Sequence, residues 1–142
     1  MKNFWEEVKS LTEGVDVDLD KTLSEQCPMI IWLDDIRDPV KYGYPEAIWI
    51  KTAQDFSQYL LSAIDQRIFI DEIHFDNDLG EESHGEGYDC FLAVENLLHN
   101  GELESLRKIY VHSSNPSAVH KFMLAARSLK YHFGIDIIRN QY

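Results

Sequence analysis

Apolar residues fall along the chain in short blocks that stop abruptly at polar ones. Met29-Ile30-Ile31-Trp32-Leu33 is apolar at every position and ends on Asp34-Asp35. A run of strand length that is apolar on both faces predicts a buried parallel strand. Ala47–Ile50, Ile68–Phe75, Lys108–Val111 and Ile135–Ile138 read as four further strands. Between them the apolar spacing changes from two to about 3.6 residues, the helical period. Thr52 starts one helix, with Asp55 in its first turn and Phe56, Tyr59, Leu60 and Ile64 on one face. Tyr88–His99 is a second helix, with Gly101 past its end. Ser117–Phe133 is a third, with Val119, Phe122, Met123, Ala126, Leu129 and Phe133 inward. Pro39, Gly43 and Pro45 prevent a long helix after the first strand.

Upstream, Asn3 and Glu6 form a capping box for a short helix carrying Phe4, Trp5, Val8 and Leu11, which Gly14 ends. The expected organisation is an N-terminal helix and acidic connection over 1–27, then an α/β domain over 28–142. Strands alternating with helices imply right-handed crossovers and a doubly wound, five-stranded parallel sheet. Helices are expected on both of its faces.

The polar residues that end the strands carry the functional signal, because ligands of such sheets bind outside the carboxyl ends of the strands. The first strand ends in Asp34-Asp35, the third in Asp76-Asn77-Asp78 and the fourth in His112-Ser113-Ser114-Asn115. Carboxylates crowded in one cleft repel one another, so they either take up protons or share a cation. Hard oxygen donors suit Mg²⁺ or Mn²⁺, with Ca²⁺ also admitted, and do not suit zinc. Asp35 and Asp76 are the expected direct ligands, with Asp34 acting through water. A histidine beside carboxylates suits proton transfer, which makes His112 a candidate acid or base with Asp78. Ser113, Ser114 and Asn115 can hold phosphate oxygens, and the helix that begins after Asn115 points its first N–H groups at the cleft. Asn115 is equally an ordinary helix cap. Arg37 can clamp phosphate through two N–H groups, or pair with Asp38. His74, inside the third strand, reads as a satisfied interior group, and Trp32 and Trp49 as core.

Charge narrows the partners. The formal net charge is −12, which argues against binding an extended duplex, since that requires clustered Lys and Arg. Residues 28–100 carry a net −11 and residues 101–142 a net +3, so the middle of the chain concentrates the negative charge, most of it as solvated surface and some of it at strand ends. No stretch approaches the roughly 20 apolar residues of a membrane helix. The first residues lack the apolar core of a secretory signal, and Cys27 and Cys90 are too few for a disulfide framework. The expectation is a cytoplasmic protein with free thiols and no membrane partner. Oligomeric state is not legible.

The acid pair after the first strand and Asp76 after the third resemble the receiver domains of two-component signalling. In those domains such acids bind Mg²⁺, the second takes up a phosphoryl group, and a Ser or Thr ends the fourth strand. Here Arg139 follows Ile137-Ile138 without the Lys-Pro pair of phosphoacceptor receivers. The chain is more similar to the receiver-derived cyclic-phosphate processing receiver domains. The matching motifs are Leu33-Asp34-Asp35-Ile36-Arg37, Phe75-Asp76-Asn77-Asp78-Leu79-Gly80, Gly87-Tyr88-Asp89 and His112-Ser113-Ser114-Asn115. The resemblance implies a receiver-like (flavodoxin-like) fold and action on a cyclic phosphate, either a cyclic nucleotide or a 2′,3′-cyclic RNA end. The leading expectation is a metal-dependent phosphoesterase, with Asp34, Asp35 and Asp76 at the metal. Asp76, Asp78 and His112 would do the chemistry, and Arg37, Ser113, Ser114 and Asn115 would bind the phosphate. The alternatives are a module that sequesters a cyclic nucleotide without turnover, as a viral anti-defence protein would, and a divergent phosphoacceptor receiver.

Overall fold

The structure, a computed structural model, describes residues 29–139 apart from 81, 82, 84 and 114. The expected N-terminal helix, its acidic connection, Cys27 and Ser114 lie outside the described residues. Five strands, β1 (Met29–Leu33), β2 (Ile48–Ile50), β3 (Ile70–Phe75), β4 (Lys108–Val111) and β5 (Asp136–Arg139), form one sheet in the order β2-β1-β3-β4-β5. Every neighbouring pair is parallel. The helices are α1 (Ala53–Asp65), α2 (Gly87–His99) and α3 (Pro116–Phe133), and a short 3₁₀ turn covers Pro39–Tyr42.

Three strands begin later than their apolar runs, β2 by one residue at Ile48. Arg67 takes a left-handed φ of 57° just after α1, and Ile68 N–H donates back to the Ala63 carbonyl, so Ile68 and Phe69 belong to the helix exit and β3 starts at Ile70. Ile135 similarly stays in the α3 exit, its N–H on the Leu129 carbonyl. Where a cap is legible the boundary agrees closely. Thr52 Oγ1 accepts from Asp55 N–H at 3.1 Å to start α1, and Asn115 starts α3.

The pleat sorts side chains onto two faces. Ile31, Leu33, Ile73, Phe75, Ile109 and Val111 join a buried core with Phe56 and Leu60 of α1, Phe91 and Val94 of α2, and Phe122 and Leu129 of α3. All three described helices therefore lie on one face, side by side, and no described helix covers the other. The reason is topological. With right-handed crossovers, the connections after β2, β3 and β4 all run across one face, and only β1-to-β2 crosses the other. That crossover is short: Pro39 opens a single 3₁₀ turn, and Gly43 closes it at φ 90°, a conformation that favours glycine. Its rings cover the sheet instead. Tyr42 and Tyr44 lie on Trp32 with centroids at 5.8 and 5.4 Å, and Tyr44 meets His74 edge-on at 4.5 Å.

One close approach fixes α2 against the sheet. A Cβ on Gly87 would stand 1.9 Å from the Asp76 carbonyl oxygen, and Gly87 N–H and Tyr88 N–H bond the Asn77 carbonyl and the Asn77 Oδ1. Backbone on both sides leaves nothing flexible to move. Gly87→Ala is expected to lower unfolding free energy by about 3 kcal/mol, against about 1 kcal/mol for the cap deletion Thr52→Ala. Urea denaturation checks both, and an unchanged midpoint for Gly87→Ala would mean that α2 does not sit this close to Asp76.

Candidate functional site

Register brings the site together. Leu33 is level with Ile50 and Phe75, and Phe75 with Val111. The ladder continues one residue further: Asp34 N–H donates to the Ile50 carbonyl, Asp76 N–H to Leu33 and His112 N–H to Phe75, at 3.0, 2.8 and 2.7 Å. Asp34, Asp76 and His112 thus stand in one row at the carboxyl edge of the sheet, where a parallel sheet holds its ligands.

Asp34, Asp35 and Asp76 each bring a carboxylate oxygen within 4.8 Å of the others. Asp34 is fully buried, and its oxygens are already occupied. Oδ1 accepts from Ile36 N–H and Arg37 N–H, both at 3.0 Å, and Oδ2 accepts from Arg37 Nη1 at 3.1 Å. Asp34 therefore shapes the loop as well as charging it. Asp35 Oδ1 is buried and has no hydrogen-bond partner among the described residues. A buried carboxylate oxygen with no donor is costly, and a cation would supply it with a partner. The donor set is all hard oxygen, so the residues fit a divalent ion of the Mg²⁺ or Mn²⁺ kind.

Arg37 supplies the opposing charge. Its Nη1 lies 3.8 Å from Asp76 Oδ2 as well as 3.1 Å from Asp34. The expected pairing with Asp38 does not form among the described contacts: Asp38 Oδ1 accepts from Val40 N–H and caps the 3₁₀ turn. Even so, burial and the neighbouring Asp34 push the Asp76 carboxyl up to about 7, with Asp35 adding to the rise and Arg37 opposing it. Burial also raises Asp35, helped by Asp34 and Asp78. Asp78 is exposed at the rim, close enough for its charge to reach Asp35, yet it is outside the trio.

Two features define the fourth-strand turn. His112 is buried, its Nε2 is 2.7 Å from His74 Nδ1, and burial, with Arg37 adding to it, pulls its pKa down to about 3. At that value the ring is neutral near pH 7 and carries no imidazolium proton there. The start of α3 is also taken. Pro116 has no N–H, and Ser117 N–H and Ala118 N–H both donate to Asn115 Oδ1, at 3.0 and 3.3 Å. The capping role of Asn115 consumes the donors that an anion would need. Ser113 is buried, and its Oγ accepts from Asn115 N–H at 3.1 Å, leaving its hydroxyl proton as a donor.

Several residues of the site escaped the sequence reading. Trp32 Nε1–H donates to the Arg37 carbonyl at 2.8 Å and Trp49 Nε1–H to the Asp34 carbonyl at 2.7 Å, so both fasten the acid loop rather than merely filling core. The signal was present, since a buried indole N–H requires an acceptor. Asn77 ties β3 to α2. Ser83, fully buried, accepts from Ala53 N–H at 2.7 Å, which ties it to the start of α1. His74 reads correctly as an interior group, but its partner is His112. Cys90 is buried on α2, and burial lifts its thiol to about 12, which makes it unreactive.

A parallel sheet in this strand order, with an acid pair after β1 and a further acid after β3 gathered round one point, is the architecture of a receiver domain. A family model for the cyclic-phosphate processing receiver domain matches residues 29–128, and the chain belongs to that family. Comparison with curated proteins and with solved structures gives no match. No helix among the described residues is long and apolar enough to cross a membrane.

The raised Asp76 carboxyl has a signed consequence. Between an unfolded value near 3.8 and a folded value of about 7, the native state holds the extra proton, so this group lowers stability as pH rises through that window. The buried histidines act oppositely: their folded values of about 3 against 6.5 lower stability as pH falls from 6.5. The Asp76 contribution is therefore read as wild type minus Asp76→Asn. That difference is expected to turn against the wild type between pH 4 and 7 without divalent metal, and millimolar Mg²⁺ is expected to reverse it. A pH-independent difference in urea titrations would show that Asp76 ionises normally.

Proposed function

We propose that this protein is a metal-dependent phosphoesterase that opens a cyclic phosphate. The observation that carries the reading is the carboxylate trio with its donor-less Asp35 oxygen at the strand ends, in a member of a family described as cyclic-phosphate processing. Asp35 and Asp76 would hold a Mg²⁺ or Mn²⁺ ion, with Asp34 beside them. When bound, such an ion supplies Lewis acidity that draws charge from phosphoryl oxygens.

The chain's own residues account for the rest of the reading. Arg37 meets the acids through one guanidinium nitrogen, so the remainder of its fork can take a phosphate oxygen. The Ser113 hydroxyl and the Asn115 side-chain amide are the donors of the β4 turn, and Ser114 belongs to the same turn by sequence. Asp78, exposed at the rim beside Asp35, takes the proton from the attacking water. As water oxygen bonds to phosphorus, one ester P–O bond of the ring breaks, and the same proton is available for the departing sugar oxygen. His112, buried and with its pKa pulled down to about 3, heads this turn, and the proton transfer is assigned to Asp78 instead. The partner is accordingly a phosphate-containing small molecule or an RNA end.

The test is a product assay with Mg²⁺ or Mn²⁺ and a panel of 2′,3′- and 3′,5′-cyclic nucleotides, cyclic dinucleotides included. Ring opening is expected, lost by at least about a hundredfold in Asp76→Asn and reduced by roughly a hundredfold in Asp78→Asn, the range of a single acid–base group. Ligands recovered intact but tightly held would replace this reading with a non-catalytic module that sequesters the nucleotide. Full activity in Asp76→Asn would remove the metal assignment.

A further inference from the structure

Behind the β4 turn lies a line of polar groups that the proposed chemistry does not use. Glu72 and His74, two residues apart on β3, share the sheet face opposite the helices. Glu72 Oε2 lies 3.4 Å from His74 Nε2, and His74 Nδ1 lies 2.7 Å from His112 Nε2. The His74 ring cannot readily turn away. It stacks on Tyr110 with centroids 4.3 Å apart and planes 6° apart, stacks on Trp32 at 4.9 Å, and has Tyr44 edge-on at 4.5 Å.

Protons can be placed along this line by elimination. A neutral imidazole has one N–H and one lone pair. A carboxylate only accepts, so His74 presents its N–H at Nε2, toward Glu72. Burial raises the Glu72 carboxyl above its ordinary value, with Asp71 adding to the rise and Lys108, level with it on β4, opposing it; the tautomer assignment therefore rests on the geometry of the line. His74 Nδ1 is then a lone pair, and the nitrogen 2.7 Å from it must be the donor. The reverse order would aim a lone pair at a carboxylate and leave His74 Nε2 without a partner.

We propose that Glu72 and His74 are positioning residues that hold His112 in the tautomer protonated at Nε2, leaving Nδ1, the nitrogen nearer the main chain, as the acceptor at the head of the Ser113–Asn115 turn. The role rests on the reading of that turn as the phosphate-holding one. Behind a metal-ligating histidine such a partner fixes tautomer and ring orientation, and its loss costs roughly 10- to 100-fold in metal affinity or activity; the low end of that range is taken here for His112, which is not among the proposed metal ligands.

The tautomers are read on the full chain carrying ¹⁵N-histidine, by long-range ¹H–¹⁵N correlation near neutral pH. Both His74 and His112 are expected as Nε2–H, and His112 protonated on Nδ1 would overturn the proposal. In Glu72→Ala the two rings are expected to shift together into mixed tautomers; an unchanged His112 would also overturn it. For function, His74→Phe is expected to weaken cleavage or binding of the cyclic nucleotide found in the panel by roughly tenfold. His74→Asn, whose side-chain oxygen can still accept from His112 Nε2–H, is expected to recover most of it. Wild-type behaviour of a folded His74→Phe would refute the role. If the wild type neither cleaves nor retains any cyclic nucleotide, the phosphoesterase reading fails, and the spectra still decide the tautomer.

Discussion

Like charges held together at the end of a parallel sheet are the constraint on which the rest of this structure depends. Asp34, Asp35 and Asp76 come within one ligand distance of each other because backbone hydrogen bonds carry the ladder one residue past β1 and β3. Water alone would keep such groups apart. Here Arg37 offsets part of the repulsion and Asp34 spends both oxygens on the loop, yet Asp76 still ends near 7. The surroundings follow from this. The indoles of Trp32 and Trp49 hold the acid loop by its carbonyls, and Asn77 and Gly87 bring α2 against the strand that bears Asp76.

The two faces of the sheet divide the labour. The helical face is a continuous apolar core of Ile, Leu, Val and Phe, and it supplies rigidity. The opposite face is narrower and more polar: Trp32, His74 and Tyr110 occupy the positions that a helix would cover if the β1-to-β2 crossover were longer. The short crossover lays tyrosine rings there instead, which leaves room within the sheet face for a buried histidine pair. His74 and His112 are tolerated in that layer because each satisfies a nitrogen of the other. Unpaired, either would carry a full desolvation penalty.

Relative to a phosphoacceptor receiver, the same acid constellation is set among different neighbours. Arg37, two residues after the acid pair, bridges Asp34 and Asp76, and β5 ends on Arg139 rather than on a Lys-Pro pair. A histidine heads the β4 turn, and it is supported from behind rather than exposed to solvent. These are the neighbours on which the proposed reading, a phosphate ester held between Arg37 and the turn, rests.

The sequence by itself determined the strands, the helices and the side of the sheet on which function sits. Apolar runs stopping at Asp34, Asp76 and His112 are local facts, and a parallel ladder converts strand ends into neighbours without further information. Caps such as Thr52 and Asn115 are local too, which is why they were legible. What the tertiary structure alone decided are the pairings between distant residues. Arg37 chose Asp34 and Asp76 over the adjacent Asp38, because a turn cap competed for Asp38 and two buried charges needed a cation more. All three described helices took one face because crossover handedness, which no single segment encodes, assigned them there. The pairing of His112 with His74 and the burial of both rings are likewise tertiary, since the pleat set the two rings on one side and Tyr44 packed on His74. Burial and partner choice depend on the packing of segments far apart in the chain, and no local pattern fixes them in advance.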